Sequence, residues 1–257
     1  MDSPHGASLS AEDFGLKGPR GWAFRGVGFT AGPGSLVAVE GPSGSGRTCL
    51  LLALTGRMRS THGHAEAGGE RLPGRLAAVR RFSALGPVPG VSDLDPSLTV
   101  AEHLRERALL RRRFGASPRA LLRPRAERAA TARASAGTAL EAAGLDLAAL
   151  PKAERTSVRD LERLEALRLS VALALMSRPR LLAVDDTDLK LSATDRALAW
   201  ELLRTLAAGG TTVLAVCSES PQDALTVRTR PEAGADMPDD TTTGKDTADA
   251  IAETGRA

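Results

Sequence analysis

One run of residues limits more than any other what this chain can fold into: SLVAVE, GPSGSGRT and CLLLALTGRM in succession, residues 35–58. The first part is short, apolar and rich in β-branched side chains, as a buried strand is. The last part predicts a helix that ends at Gly56 or soon after. Strand, glycine-rich octet and helix together are the context demanded by the phosphate-binding pattern G-x-x-x-x-G-K-[ST], from which the octet departs only in having Arg47 in place of lysine. Gly41, Gly44 and Gly46 permit tight turns and bring backbone N–H groups close to an anion, with Pro42, Ser43 and Ser45 between them. The helix opening at Arg47 adds its unpaired N–H groups and the positive end of its dipole. The Thr48 hydroxyl is placed to bind Mg²⁺. Arg47 keeps the positive charge, but its planar guanidinium is longer than an ammonium and does not deliver a compact charge to the same point.

A second apolar run, RLLAVDD, ends in Asp185 and Asp186, and a third, TTVLAVC, follows after the helical pattern ATDRALAWELLRTLAAGG. Two buried strands joined by a helix read as a right-handed βαβ crossover, and with the first strand they imply a parallel sheet. A carboxylate ending such a strand, expected beside the phosphate strand, is where a Mg²⁺-organising acid belongs. That makes Asp185 and Thr48 the expected metal-binding pair.

The rest of the chain is read around this core. Residues 1–20 are expected to be a flexible arm and residues 21–220 the folded domain, with a helix-rich part at about 98–176. Residues 221–257 are expected to form a disordered acidic tail, since nothing periodic remains there. WAFRGVGFTAGPGSLVAVE suggests strands joined by a turn at AGPG, and STHGHAEAGGERLPG a small strand-and-turn excursion. At 257 residues, 42% hydrophobic and 25% charged, the composition excludes a wholly disordered chain. No run of about 18 apolar residues suggests a membrane span. The N-terminus lacks the features of a signal peptide, and Cys49 and Cys217 as the only cysteines fit a cytosolic setting.

Arginine dominates the basic residues, densest in residues 104–134, yet the net charge is only +3. With five Phe, two Trp and no Tyr there is little surface for stacking bases, and no nucleic acid partner is expected. His62 and His64 lie close together without a carboxylate or cysteine that completes a metal set, and read as a solvated turn.

From about residue 22 to residue 218 the order and spacing of these blocks resemble an ATP-binding cassette (ABC) ATPase. PGSLVAVEGPSGSGRTCLLLALTG is similar to that family's first strand, phosphate loop and helix. DPSLTVAEHL resembles the entry to its helical subdomain, and ALALMSRPRLLAVDD the path from signature motif to magnesium aspartate. The resemblance implies an α/β P-loop NTPase fold, with a parallel sheet core, an N-terminal antiparallel β part and a helical subdomain. It also implies ATP and Mg²⁺ as cofactors and transmembrane permease subunits as partners. The chain would pair as a homodimer, or as a heterodimer with a competent cassette, and lie in the cytoplasm at the inner face of the membrane.

The same resemblance marks departures. The signature position reads LERLE, residues 161–165, where Glu162 brings negative charge towards a phosphate and Arg163 and Leu164 crowd an approach that glycine would permit. The catalytic glutamate position holds Asp186, one methylene shorter; the switch histidine position holds Ser218. The family's proline after the catalytic acid is Thr187, the aspartate of the next loop is Ser192, and its Mg²⁺-sensing glutamine falls near Gly90. Trp22 or Phe24 would stack on adenine. The expected function is an ATP-binding subunit of an ABC-type transporter or membrane complex with weak or partner-dependent hydrolysis. The competing expectations are a nucleotide-free cassette-fold scaffold or regulatory binding module, and a soluble P-loop enzyme such as a kinase, for which no second pocket is legible.

Overall fold

The computed structural model describes residues 5–115, 124–187 and 190–229. Two sheets carry the fold. The first is antiparallel, in the order β2-β1-β4-β5, built from β1 (Leu9–Gly18), β2 (Gly21–Ala31), β4 (His62–Ala67) and β5 (Glu70–Leu72). The second is parallel, in the order β6-β7-β8-β3-β9, built from β3 (Leu36–Glu40), β6 (Ser83–Leu85), β7 (Leu181–Val184), β8 (Thr212–Cys217) and β9 (Leu225–Arg228).

Alternation along β3 explains why that sheet must be covered on both faces. Val37 and Val39 join one apolar cluster, with helix α1 (Arg47–Leu54) and the antiparallel sheet; Leu36 and Ala38 join the other, with the later helices. β8 divides in the same way, Leu214 and Val216 to the first cluster and Val213, Ala215 and Cys217 to the second. Strands buried on both faces have no polar side left to show, so they appear in the sequence as unbroken apolar runs. Helix α2 (Leu76–Phe82) leads into β6. Helices α3 (Val100–Gly115), α4 (Arg125–Ala142) and α5 (Arg163–Leu175) form the helical part, and α6 (Ala193–Ala208) makes the crossover from β7 to β8.

Three expectations are corrected. The strand that ends in Asp185 does not neighbour the phosphate strand, because β8 lies between β7 and β3. The arm expected over residues 1–20 contains β1, which pairs with both β2 and β4 and buries Leu9, Ala11 and Phe14. A bulge hides it from a reading by alternation: Asp13 has φ 45°, and the register shifts between Ala11 and Phe14. The expected tail likewise begins with order, since β9 pairs in parallel with β3 as a short edge strand in which Val227 alone is buried. Residues 230–257, the rest of that expected tail, lie outside the described residues.

Candidate nucleotide site

The octet sits between the end of β3 and the start of α1, and its glycines have distinct duties. Gly46 has φ 84°, and a Cβ there would lie 1.9 Å from the Ala23 carbonyl oxygen of β2. Only glycine lets the loop lean on the antiparallel sheet at this point. At Gly41 a Cβ would come within 2.6 Å of Ser45 Oγ and 2.7 Å of Thr229 Oγ1, the two hydroxyls that hydrogen-bond each other at 2.7 Å beneath the loop. The chain just after β9 therefore braces the loop from below. Gly44 has φ 79°, and the Ser45 N–H donates to the Pro42 carbonyl at 3.1 Å.

Thr48, in the first turn of α1, and Asp185, just after β7, meet although β8 lies between β3 and β7. The Thr48 hydroxyl donates to Asp185 Oδ2 at 2.6 Å, and Asp185 is only 3% exposed. Its other oxygen accepts the Asp186 N–H at 2.9 Å, while its own N–H donates to Pro87 at 2.8 Å. Beside it, burial first and then the Asp185 charge push the Cys49 thiol up, so Cys49 stays protonated near neutral pH and serves as a small apolar wedge.

An open cleft of about 520 Å³ is lined by Gly41, Pro42, Ser43, Arg47, Asp186 and Ser218, together with Glu40. Four of the loop positions named from the sequence, Gly41, Pro42, Ser43 and Arg47, line it, and they do not share one role. Arg47 is turned to the end of β8, where its guanidinium donates to the Cys217 carbonyl at 2.6 Å. Asp186 takes the left-handed conformation, φ 50°, which is uncommon for a non-glycine residue. Thr187 is fully buried, and both its N–H (3.0 Å) and its hydroxyl (2.8 Å) donate to the Val216 carbonyl. A proline there would have no N–H to give.

The remaining candidates separate. Phe24 is core, packed on Phe14 with ring centroids 5.7 Å apart. Trp22 is 40% exposed, one residue from the Ala23 carbonyl that touches the loop, with His62 at 4.4 Å and the Lys17 ammonium at 5.6 Å from its ring. At the signature position Glu162 is the N-cap of α5, and its N–H donates to Glu165 at 2.8 Å in a capping box. Ser192 caps α6 by accepting the Asp195 N–H at 3.1 Å. Gly90, with φ 75°, turns a loop closed by Asp93 at 2.7 Å. His64 pairs with Glu12 at 3.3 Å, and among the described residues no three metal-ligating side chains come together.

Sequence reasoning missed Glu40. Its carboxylate accepts both the hydroxyl and the N–H of Ser220 and faces Arg228 at 3.6 Å. The Ser220 hydroxyl above all, then its N–H and Arg228, hold this carboxyl below the usual glutamate range against the opposing effect of burial. A charge ending an otherwise apolar strand, directly before the octet, was the available signal.

Fold and loop together define a P-loop α/β protein of the ATP-binding cassette type. Residues 24–188 match the model of the ABC transporter family, and the chain belongs to that family. It is 32% identical over 189 residues to the Nod factor export ATP-binding protein I of Burkholderia orbicola (strain AU 1054), covering 74% of this chain and 55% of that one. The counterpart from Paraburkholderia xenovorans (strain LB400) is 34% identical over the same shares. The chain thus spans about half the length of these curated relatives. Among solved structures, a nucleotide-free ATP-binding cassette from an ABC transporter superposes with a TM-score of 0.62 at 18% identity, covering 82% of this chain and 81% of that one. A bacterial Atm1-family ABC exporter with ATP bound gives 0.61 at 21% identity, over 85% of this chain and 35% of that one. Both show likeness of fold.

Proposed function

We propose that this chain is the ATP-binding subunit of an ABC-type membrane complex, one that holds MgATP and hydrolyses it weakly or only with a partner. The observation that carries this reading is the hydroxyl–carboxylate pair of Thr48 and Asp185 beneath a glycine-rich loop. Both groups are hard oxygen donors, the set that suits Mg²⁺, and Asp185 is buried with its second oxygen already oriented. Gly41, Pro42, Ser43, Gly44, Ser45 and Gly46 supply backbone N–H groups or their spacing for the phosphates, Arg47 the charge, and Trp22 a face for the base. Bound Mg²⁺ would neutralise phosphate charge.

Weak hydrolysis follows from what stands where the chemistry would be helped. Asp186 has the right group on a shorter arm, and Ser218 carries no imidazole to contact a terminal phosphate. The signature helix is capped by its own carboxylates. A symmetric pair of such chains lacks a phosphate-binding signature at both shared sites, which favours pairing with a different, competent cassette. The named role of the curated relatives, ATP binding for export, supports placement in the cytoplasm against transmembrane permease subunits. Among the described residues no helix is long and apolar enough to cross a membrane, so such an attachment would run through partners.

A fluorescent ATP analogue titrated with and without Mg²⁺ tests the reading. Saturable Mg²⁺-dependent binding is expected, weakened about 100-fold by Asp185→Asn, on the order of 2.7 kcal/mol. Phosphate release should stay near background. Rapid release abolished by Asp185→Asn would overturn the weak-hydrolysis part. A nucleotide-free scaffold gains support from the Arg47 guanidinium resting on the Cys217 carbonyl, and the absence of saturable binding at high nucleotide would establish it.

A further inference from the structure

Besides Asp186, a second carboxylate lines a cleft whose other features favour an anion. Glu40 ends β3 directly before the phosphate loop and shares the cleft with Gly41, Ser43, Arg47 and Ser218. By charge alone, a carboxylate there weakens the hold on a phosphate. Its presence calls for another duty, and its contacts name one.

In the register of the parallel sheet, the backbone of Glu40 lies opposite Cys217 of β8 on one side and Arg228 of β9 on the other. Its side chain reaches past the end of β8 to Ser220, where Oε2 accepts the hydroxyl and, at 3.1 Å, the N–H of the same residue. The Thr226 hydroxyl donates to Ser220 Oγ at 2.9 Å, so the Ser220 hydroxyl is fixed from both sides. Arg228 Nε stands 3.6 Å from the other carboxylate oxygen. Two residues, Ser218 and Glu219, are strung between these anchors, Cys217 held by the strand and Ser220 held by the carboxylate. So short a span, closed at both ends, has few conformations left to it. A loose segment would have to be ordered when a ligand binds, and this one is ordered beforehand.

The same contacts argue against a proton acceptor. Both carboxylate oxygens are engaged, and the donors from Ser220, with Arg228, keep the group ionised below the usual glutamate range. A carboxylate so held is a weaker base than a free one.

We infer that Glu40 is a positioning residue for the nucleotide cleft, acting through Ser220 to hold the segment after β8 so that Ser218 stays in the cleft wall. This role rests on the proposed reading of the cleft as a nucleotide site, whereas the tether from Glu40 to Ser220 does not. Removing the carboxylate has two opposed effects on an anion: relief of repulsion tightens binding, and release of the wall weakens it. Positioning requires the second to win.

Two measurements on the full-length protein test it. Hydrogen exchange without nucleotide reads the tether, and titration with a fluorescent ATP analogue and Mg²⁺ reads its effect on binding. Glu40→Ala should speed exchange across residues 218–224 about tenfold and weaken the analogue about fivefold. Glu40→Gln keeps an acceptor for Ser220 and should stay within about twofold of the unaltered protein in both. Ser218→Ala should weaken binding about threefold in the unaltered protein and not further in the Glu40→Ala background, a coupling that a purely stabilising role would not produce. Glu141→Gln, which removes an exposed carboxylate on α4, should bind as before. Binding by Glu40→Ala that is unchanged or tighter, additive losses with Ser218→Ala, or unchanged exchange at residues 218–224 would each overturn the inference. Faster exchange in Glu40→Ala with no saturable binding in the unaltered protein would overturn the proposed function, and the positioning role with it, while leaving the tether. If Glu40→Ala fails to fold, Ser220→Ala, which removes one hydroxyl, decides on the same readouts.

Discussion

Helices α1 and α5 start at the two positions the sequence marks for phosphate, and they start differently. The first turn of α1 has no acidic residue, its N-cap Gly46 has no side chain to offer, and glycine turns hold the approach open. Helix α5 begins at Glu162, with Glu165 accepting the Glu162 N–H. The two helices have the same dipole, so the difference lies in who answers it. At α1 the positive end is left for a ligand, whereas at α5 two carboxylates of the chain itself supply the negative charge. A helix N-terminus is thus an anion site only where the sequence declines to cap it.

Three changes would break or sharpen this contrast. The largest effect is expected from Gly46→Ala, because the new methyl meets backbone at Ala23 in a left-handed conformation. Strain and overpacking together should cost about 3 kcal/mol and lower Tm by about 10 °C. Thermal denaturation that shows no loss would mean the loop does not lean on β2. Next, Glu165→Ala removes half of the capping box and should cost about 1 kcal/mol in urea unfolding, with Glu165→Gln largely restoring it. No loss would leave the start of α5 as open as that of α1. The smallest effect belongs to Glu40, whose carboxyl is held below its usual range. A depressed carboxyl stabilises the fold above its unfolded pKa, and the contribution is lost as pH falls through the lowered folded value. Glu40→Gln should therefore narrow the stability difference between roughly pH 5 and pH 3 while slightly weakening the protein at neutrality. An unchanged acid limb in the variant would show that Ser220 and Arg228 gain nothing from the charge.

What the sequence disclosed, and what it hid, follows from how far each signal reaches along the chain. The octet, the strand before it and the helix after it are contiguous, so their geometry is written in neighbouring letters. The same is true of β7 and β8, whose burial on both faces leaves plain apolar runs. β1 was hidden because its bulge at Asp13 shifts the alternation, and β9 because an edge strand of four residues buries only one of them. Strand order was beyond local reading as well, since whether β8 or β7 abuts β3 depends on pairings made across more than 170 residues. At the site, the meeting of Thr48 with Asp185 was expected from the carboxylate's place at a strand end, although the two strands do not adjoin, but the turn of Arg47 onto Cys217 was not. A long cation finds whichever carbonyl its neighbours leave open, and that carbonyl belongs to a distant strand.

The last two peptides of β8 tie down both sides of the cleft. The Val216 carbonyl receives the two donors of Thr187, next to the cleft-lining acid Asp186, and the Cys217 carbonyl receives the loop's cation. Successive carbonyls of a strand point to opposite neighbours, so these two acceptors form a rocker with one arm under each group. Moving β8 along its axis by a single residue would take both carbonyls away from the groups they now serve. Acid and cation would be misaddressed by one slip, with neither residue altered, and the spacing between them is therefore stored in the register of a strand that supplies no side chain to that bond.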